Sequence, residues 1–180
     1  MTGFWIALAV VVVLVGLYLS QTAGRLDRLH HRVDTGLANL DVQLLRRSGA
    51  VLDIASSGLI DPASSMVLAD AAANARSGIA DPIDRAQRES DLTRALAAVL
   101  GSREDVEALS STEVGAELVD SLAGAVHRTE MSRRFYNDAV RATLQVRRQR
   151  LVRWFRLAGS APWPRTVEMD DTIPAGLAGR

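Results

Sequence analysis

Residues 132–142, SRRFYNDAVRA, set an aromatic pair, an amide, a carboxylate and three guanidinium groups on neighbouring turns of one segment. Asp138 is the natural candidate base. It lies four residues after Arg134 and three before Arg141, spacings at which helical side chains meet. Two cations hold such a carboxylate ionised, and no nucleophile stands beside it to be activated. No catalytic residue is assigned, and the chain is read as not an enzyme. As packing and pairing the stretch makes better sense. Tyr136 and Val140 belong to an apolar seam that Phe135 widens. Asn137 lies at its edge, with Glu130 and Arg133 on the preceding turns. An unpaired polar group between helices costs about 1–3 kcal/mol, so Tyr136 and Asn137 can fix helix register. The second reading makes Arg134, Phe135, Tyr136, Asn137, Asp138, Val140 and Arg141 a recognition surface for another protein.

A second chemical stretch is RRQRLVRWFRLAG, residues 147–159. On a helical wheel Leu151, Trp154, Phe155 and Ala158 share one face, and Arg150, Arg153 and Arg156 gather on the other. Arginines with Trp and Phe on a short amphipathic helix suit a membrane surface. Arg147, Arg148, Arg150, Arg153, Trp154, Phe155 and Arg156 are therefore membrane-surface candidates. Anionic headgroups would contribute about 1 kcal/mol per basic residue. Alternatively, this face closes one end of a bundle. Basic and aromatic residues together also suit single-stranded nucleic acid. The segment is short and carries no recognised module, so no nucleic-acid partner is expected. His30 and His31 are adjacent and point about 100° apart on a helix, which does not make a shared metal site. The chain has no Cys, which excludes thiol chemistry and Cys-ligated zinc. No metal or cofactor is expected.

These residues sit behind an apolar leader. MTGFWIALAVVVVLVGLYLSQTAG has no charged side chain, and its apolar part runs from Phe4 to Leu19. A bilayer span needs about 17–25 such residues. Trp5 and Tyr18 stand near its ends, where aromatic residues prefer the interface. No basic region precedes Phe4, as a cleaved signal peptide would require. Arg25, Arg28 and Arg32 follow the span, so the positive-inside rule places the N-terminus outside and the remainder in the cytoplasm.

Beyond the anchor the pattern is helical. Leu26, Leu29, Val33, Leu37, Leu40, Leu44, Val51 and Ile54 recur at steps of three and four, interrupted by Arg47. No proline precedes Gly58, so one helix can run from membrane to cytosol; its cytoplasmic part would be about 50 Å long. Asp61 and Asp81, each before proline, are N-caps for two further helices. The first ends near Gly78 and the second is stopped by Gly101. Ser102 caps an acidic link. A last long helix covers about residues 112–146, with Leu118, Leu122, Ala125, Thr129, Ser132, Tyr136, Ala139 and Thr143 along its seam. No alternating strand pattern occurs. Residues 160–180, with three prolines and no period, read as a flexible tail. The expectation is all-α: an anchor over 1–24, then an antiparallel bundle over 25–159 of three long helices and one short.

Charge balances to +0 over the 180 residues, and all 21 basic side chains are Arg. Residues 81–130 hold eleven acids and five arginines, and residues 133–156 hold eight arginines and one acid. Most of these are solvated faces.

Three blocks resemble the LemA family. RRFYNDAVRA resembles its aromatic-Tyr-Asn-Asp-x-Val signature on the last long helix. NLDVQLLRR, residues 39–47, is similar to its first cytoplasmic helix. VRWFRLAGSAPWPRTVEMDD, residues 152–171, is similar to its usual ending. The chain departs from the family where SGAVLDIASSGLIDP replaces a Pro-containing segment, and where VRRQRLVRWF replaces a Phe-Pro pair. The resemblance implies a membrane helix followed by a long antiparallel bundle, and it brings no enzymatic activity with it. The expected function is a non-enzymatic membrane-anchored scaffold or adaptor at the cytoplasmic face of a bacterial membrane. The alternatives are an anionic-lipid-binding or membrane-shaping protein acting through residues 147–159, and an accessory subunit of an envelope protease or transporter complex. A protein partner of unknown identity is expected, and self-association stays open.

Overall fold

A computed structural model describes residues 2–77 and 82–179. Among them the chain is all-α, with six helices and one short 3-10 turn: α1 (Thr2–Ser56), α2 (Pro62–Arg76), α3 (Pro82–Val99), α4 (Arg103–Leu109), α5 (Glu113–Arg147), α6 (Arg150–Trp154) and the turn Ala175–Leu177. The expected Asp81 cap and the helix end near Gly78 lie outside the described residues.

α1 persists because nothing in it breaks a helix. Proline is absent, and each polar residue falls off the buried stripe or finds a partner on it. It stops at Gly58, whose φ of 72° is the left-handed conformation that glycine adopts without a Cβ penalty. Asp61 then opens α2, accepting from the backbone N–H groups of Ala63 and Ser64, each at 3.0 Å. The Ser64 hydroxyl bond, with those amides, holds its carboxyl below the ordinary value.

The chain forms two compact units, residues 1–37 with 136–166 and residues 38–135 with 167–180. In the second unit, Val51 and Ile54 of α1 meet Leu68 of α2, Leu92 and Leu96 of α3, and Leu122 of α5 in one apolar core. α4 closes that core with Val106 and Leu109. The expected acidic link is thus a helix. Ser102 and Asp105 form a reciprocal capping box, each side chain accepting from the other's backbone N–H at 3.1 Å. In the first unit, Leu26 packs with Val146 and Val152 in a small cluster, and α1 residues N-terminal to Leu17 stand exposed.

The expected tail, residues 160–180, has hydrogen-bonded partners on the helices. Residues 161–174 carry no regular secondary structure, and side chains of the helices bond to several of them. In the first unit Tyr136 donates to the Arg165 carbonyl at 2.8 Å. In the second unit Thr93 donates to the Asp170 carbonyl at 2.7 Å, and Arg133 grips Asp171 through two bonds of 2.6 and 2.8 Å. Leu177 is fully buried, and Gly176 sits so close to the α3–α4 link that a Cβ would lie 2.3 Å from the Ser102 carbonyl oxygen. This strap over residues 161–174, a segment without regular structure, has no helical period to read. It is held by donors that look, in sequence, like surface arginines and a threonine.

Candidate functional site

The signature on α5 divides into an inward and an outward set. Tyr136, Asn137 and Val140 are buried. Tyr136 lies against α1 at Gly36, where a Cβ would stand 3.5 Å from the Tyr136 Cα, an ordinary contact distance. The ring fills that contact and its hydroxyl ties the strap, so one residue fixes both the helix spacing and the chain's return path. Tyr136→Phe keeps the ring and removes the strap bond. It is expected to cost about 1 kcal/mol, seen as a lower urea midpoint with faster amide exchange around Arg165. An unchanged exchange pattern would show that the hydroxyl bond does no holding.

Three expectations for this helix need correction. Phe135 does not widen the seam; it is 64% exposed, because it falls a quarter-turn off the Ser132–Tyr136 line. Arg134 does not pair with Asp138. It turns back one turn to Glu130 at 2.5 Å, where a half-buried carboxylate is nearer than exposed Asp138. Asp138 does meet Arg141 at 3.1 Å, in solvent, where such a pair contributes little. Asn137 is not at an edge but buried. The seam residues Leu122, Ala125, Thr129, Ser132, Ala139 and Thr143 are buried as expected.

At the basic end, the helical wheel does not extend through residues 147–159. α6 is five residues long and gives way at Phe155, and Arg156 has a φ of 49°. Val152 is its buried residue, while Leu151, Trp154 and Phe155 are exposed, Trp154 at 80%. A five-residue helix cannot bury a stripe that needs three turns. Arg148, Arg150, Arg153 and Arg156 are exposed. Arg147 is removed from the membrane-surface set: it is 5% exposed. Its guanidinium donates to the carbonyls of Pro162 at 2.6 Å and Ala161 at 2.8 Å, lies 3.4 Å from His30 Nε2, and stacks 4.4 Å from the Trp163 ring centre. It starts the strap, as Tyr136 continues it. Trp5 and Tyr18 are exposed on the apolar part of α1.

The most strongly polar buried feature was not anticipated. Arg47, which interrupts the apolar stripe of α1, is buried within the second unit. It donates to Glu89 Oε2 at 2.5 Å, to the Glu89 carbonyl at 2.9 Å and to Thr93 Oγ1 at 3.1 Å. Thr93 in turn holds the strap at Asp170, whose amide donates to Ser90 at 2.9 Å. The signal was present in the spacing, since Glu89 shares a helical face with Leu92 and Leu96. A cation on one buried stripe requires an anion on another.

Burial pushes the Glu89 carboxyl above its ordinary value of 4.5, and Arg47 only partly opposes this. Between the ordinary and the raised value the folded state keeps a proton that the unfolded chain has lost. The stability this group contributes is complete below the ordinary carboxylate value and is lost as pH rises through the raised one. Urea midpoints measured against pH should fall across that window for the native chain. They should fall less for Glu89→Gln, which does not titrate; parallel curves would refute the assignment.

Compared with models of protein families the chain matches none, and no curated protein sequence matches it.

Proposed function

We propose that this chain is a single-pass, membrane-anchored helical scaffold or adaptor of LemA type, working without catalysis at the cytoplasmic face of a bacterial membrane. The observation that carries the reading is α1. Its apolar window has a mean hydropathy of 2.4 with none of it buried, and the same helix continues into residues whose stripe is buried. A bare apolar helix in water is costly, and a bilayer is the solvent that removes the cost. Arg25, Arg28 and Arg32 just beyond the span support an N-terminus outside and the helices in the cytoplasm. An antiparallel bundle is supported within each unit. Asn39 approaches Ser132 and the Gln43 carbonyl accepts from Thr129, so numbers fall on α5 as they rise on α1. Thr143 and the Leu29 carbonyl, with Gly36 and Tyr136, follow the same order in the other unit.

In this reading the outward signature residues meet a partner while the inward ones pack the helices. A photocrosslinker at Phe135 or Asp138, both exposed, should capture one recurring envelope or cytosolic protein in cells. The same crosslinker at exposed Glu104 should not capture it. Capture of the chain alone from both α5 positions would count against an adaptor. Because the chain has no cysteine, single cysteines at positions 2 and 104 report sidedness directly. Labelling of both from the same side of the membrane would overturn the topology.

A further inference from the structure

Where α1 leaves its apolar part, it forms an open groove of about 540 Å³ with Val146 of α5 and Gln149, the residue before α6. On α1 the groove runs past Tyr18, Gln21, Arg25 and Arg28. With Leu14 added, these residues recur at steps of four, three, four and three. One face of a single helix therefore passes from hydrocarbon, through an interfacial tyrosine and an amide, to two guanidinium groups. Arg28 is turned toward the apolar end: its Nη1 lies 3.6 Å from where a side chain on Gly24 would begin, one turn nearer the span. No carboxylate lines the groove, and among the described residues neither arginine is held in an ion pair. Trp154 and Phe155 stand exposed in the same unit, as rings do at headgroup level.

We infer that this groove seats the phosphate-bearing headgroup of an anionic phospholipid of the cytoplasmic leaflet. The inference rests on α1 spanning the membrane. Guanidinium forks match phosphate oxygens in pairs. Gln21 and Gln149 offer amides to a glycerol-type headgroup, and exposed Leu14 continues the same face where an acyl chain would lie. That continuity favours a lipid over a free anion, because a soluble phosphate uses only the polar half of the face. The site is distinct from α6, whose arginines stay outside the groove lining.

The full-length protein, released from detergent micelles into a native mass spectrometer, should retain phosphatidylglycerol in preference to phosphatidylcholine. Arg25→Gln and Arg28→Gln should each weaken that retention about fivefold, the factor expected for one cation near a phosphate layer. Arg150→Gln with Arg153→Gln removes two charges as well and should change it less than either single variant. Equal retention of the two lipids would overturn the site. So would a loss in Arg150→Gln, Arg153→Gln as large as in either single variant, which would mean diffuse charge, or displacement of the lipid by inorganic phosphate. Alkaline carbonate extraction separates the two failures. Release of the chain from membranes sinks the anchor and the groove together, whereas resistance without lipid preference sinks the groove alone.

Discussion

Arg47→Met is expected to destabilise the fold by about 3–5 kcal/mol, the cost of leaving one half of a buried ion pair without the other. The side chain removed is 1% exposed and satisfies a carboxylate, a backbone carbonyl and a threonine hydroxyl at once. Without it Glu89 must either stay charged in an apolar surround or take up a proton. The penalty should therefore shrink at acid pH, where protonation is cheap. The double variant Arg47→Met, Glu89→Leu removes both charges and leaves packing of similar volume. It should recover most of the loss and could exceed the native chain, since apolar replacement of such pairs is neutral or stabilising by about 1–4 kcal/mol. Urea midpoints of the full-length protein in micelles give the comparison. A double variant no better than Arg47→Met would show that the guanidinium acts through Thr93 and the Glu89 carbonyl rather than through charge.

Val12→Arg combined with Leu14→Arg should remove about 5–7 kcal/mol of insertion free energy, since each arginine near the middle of a span costs about 2.5–3.5 kcal/mol on the insertion scale. Both positions are exposed apolar residues on α1, and so is Leu45 on the same helix. The contrast is the test. Leu45→Arg lies beyond Arg25, Arg28 and Arg32 and should leave membrane integration unchanged, while the pair should shift the chain into the carbonate-extractable fraction. If the pair stays integrated, the apolar run does not carry the anchoring. If Leu45→Arg also releases the protein, the span has been placed wrongly.

Periodicity made the helices legible and nothing else. The stripes of α1 and α5 could be read because a buried helical face repeats every three to four residues, and Leu40, Leu44, Val51, Leu122 and Tyr136 are buried accordingly. α4 was read only as a capped link because seven residues are too few to show a period, and α6 was read too long because a wheel drawn over residues 147–159 does not show where the helix stops. Phe135 was misread because hydrophobicity was taken as burial, although its angle on α5 placed it outside. The strap was illegible for a different reason: its anchors Arg133, Tyr136, Arg147 and Thr93 reach backbone or carboxylate partners far along the chain, and no local pattern reports them. Arg47 was visible as a break in the stripe, yet a lone break does not name its counter-charge; that needed Glu89 to be placed on the facing helix.

The strap also sets an order of assembly. Its residues are made after α1–α6, so the bonding groups of Tyr136, Arg147, Arg133 and Thr93 must wait in water, or pair with something else, until residues 161–171 have been made and released. If α1 holds the nascent chain in a bilayer, its helices form there before they are latched, and that interval is when a chaperone or a foreign segment could occupy the empty track.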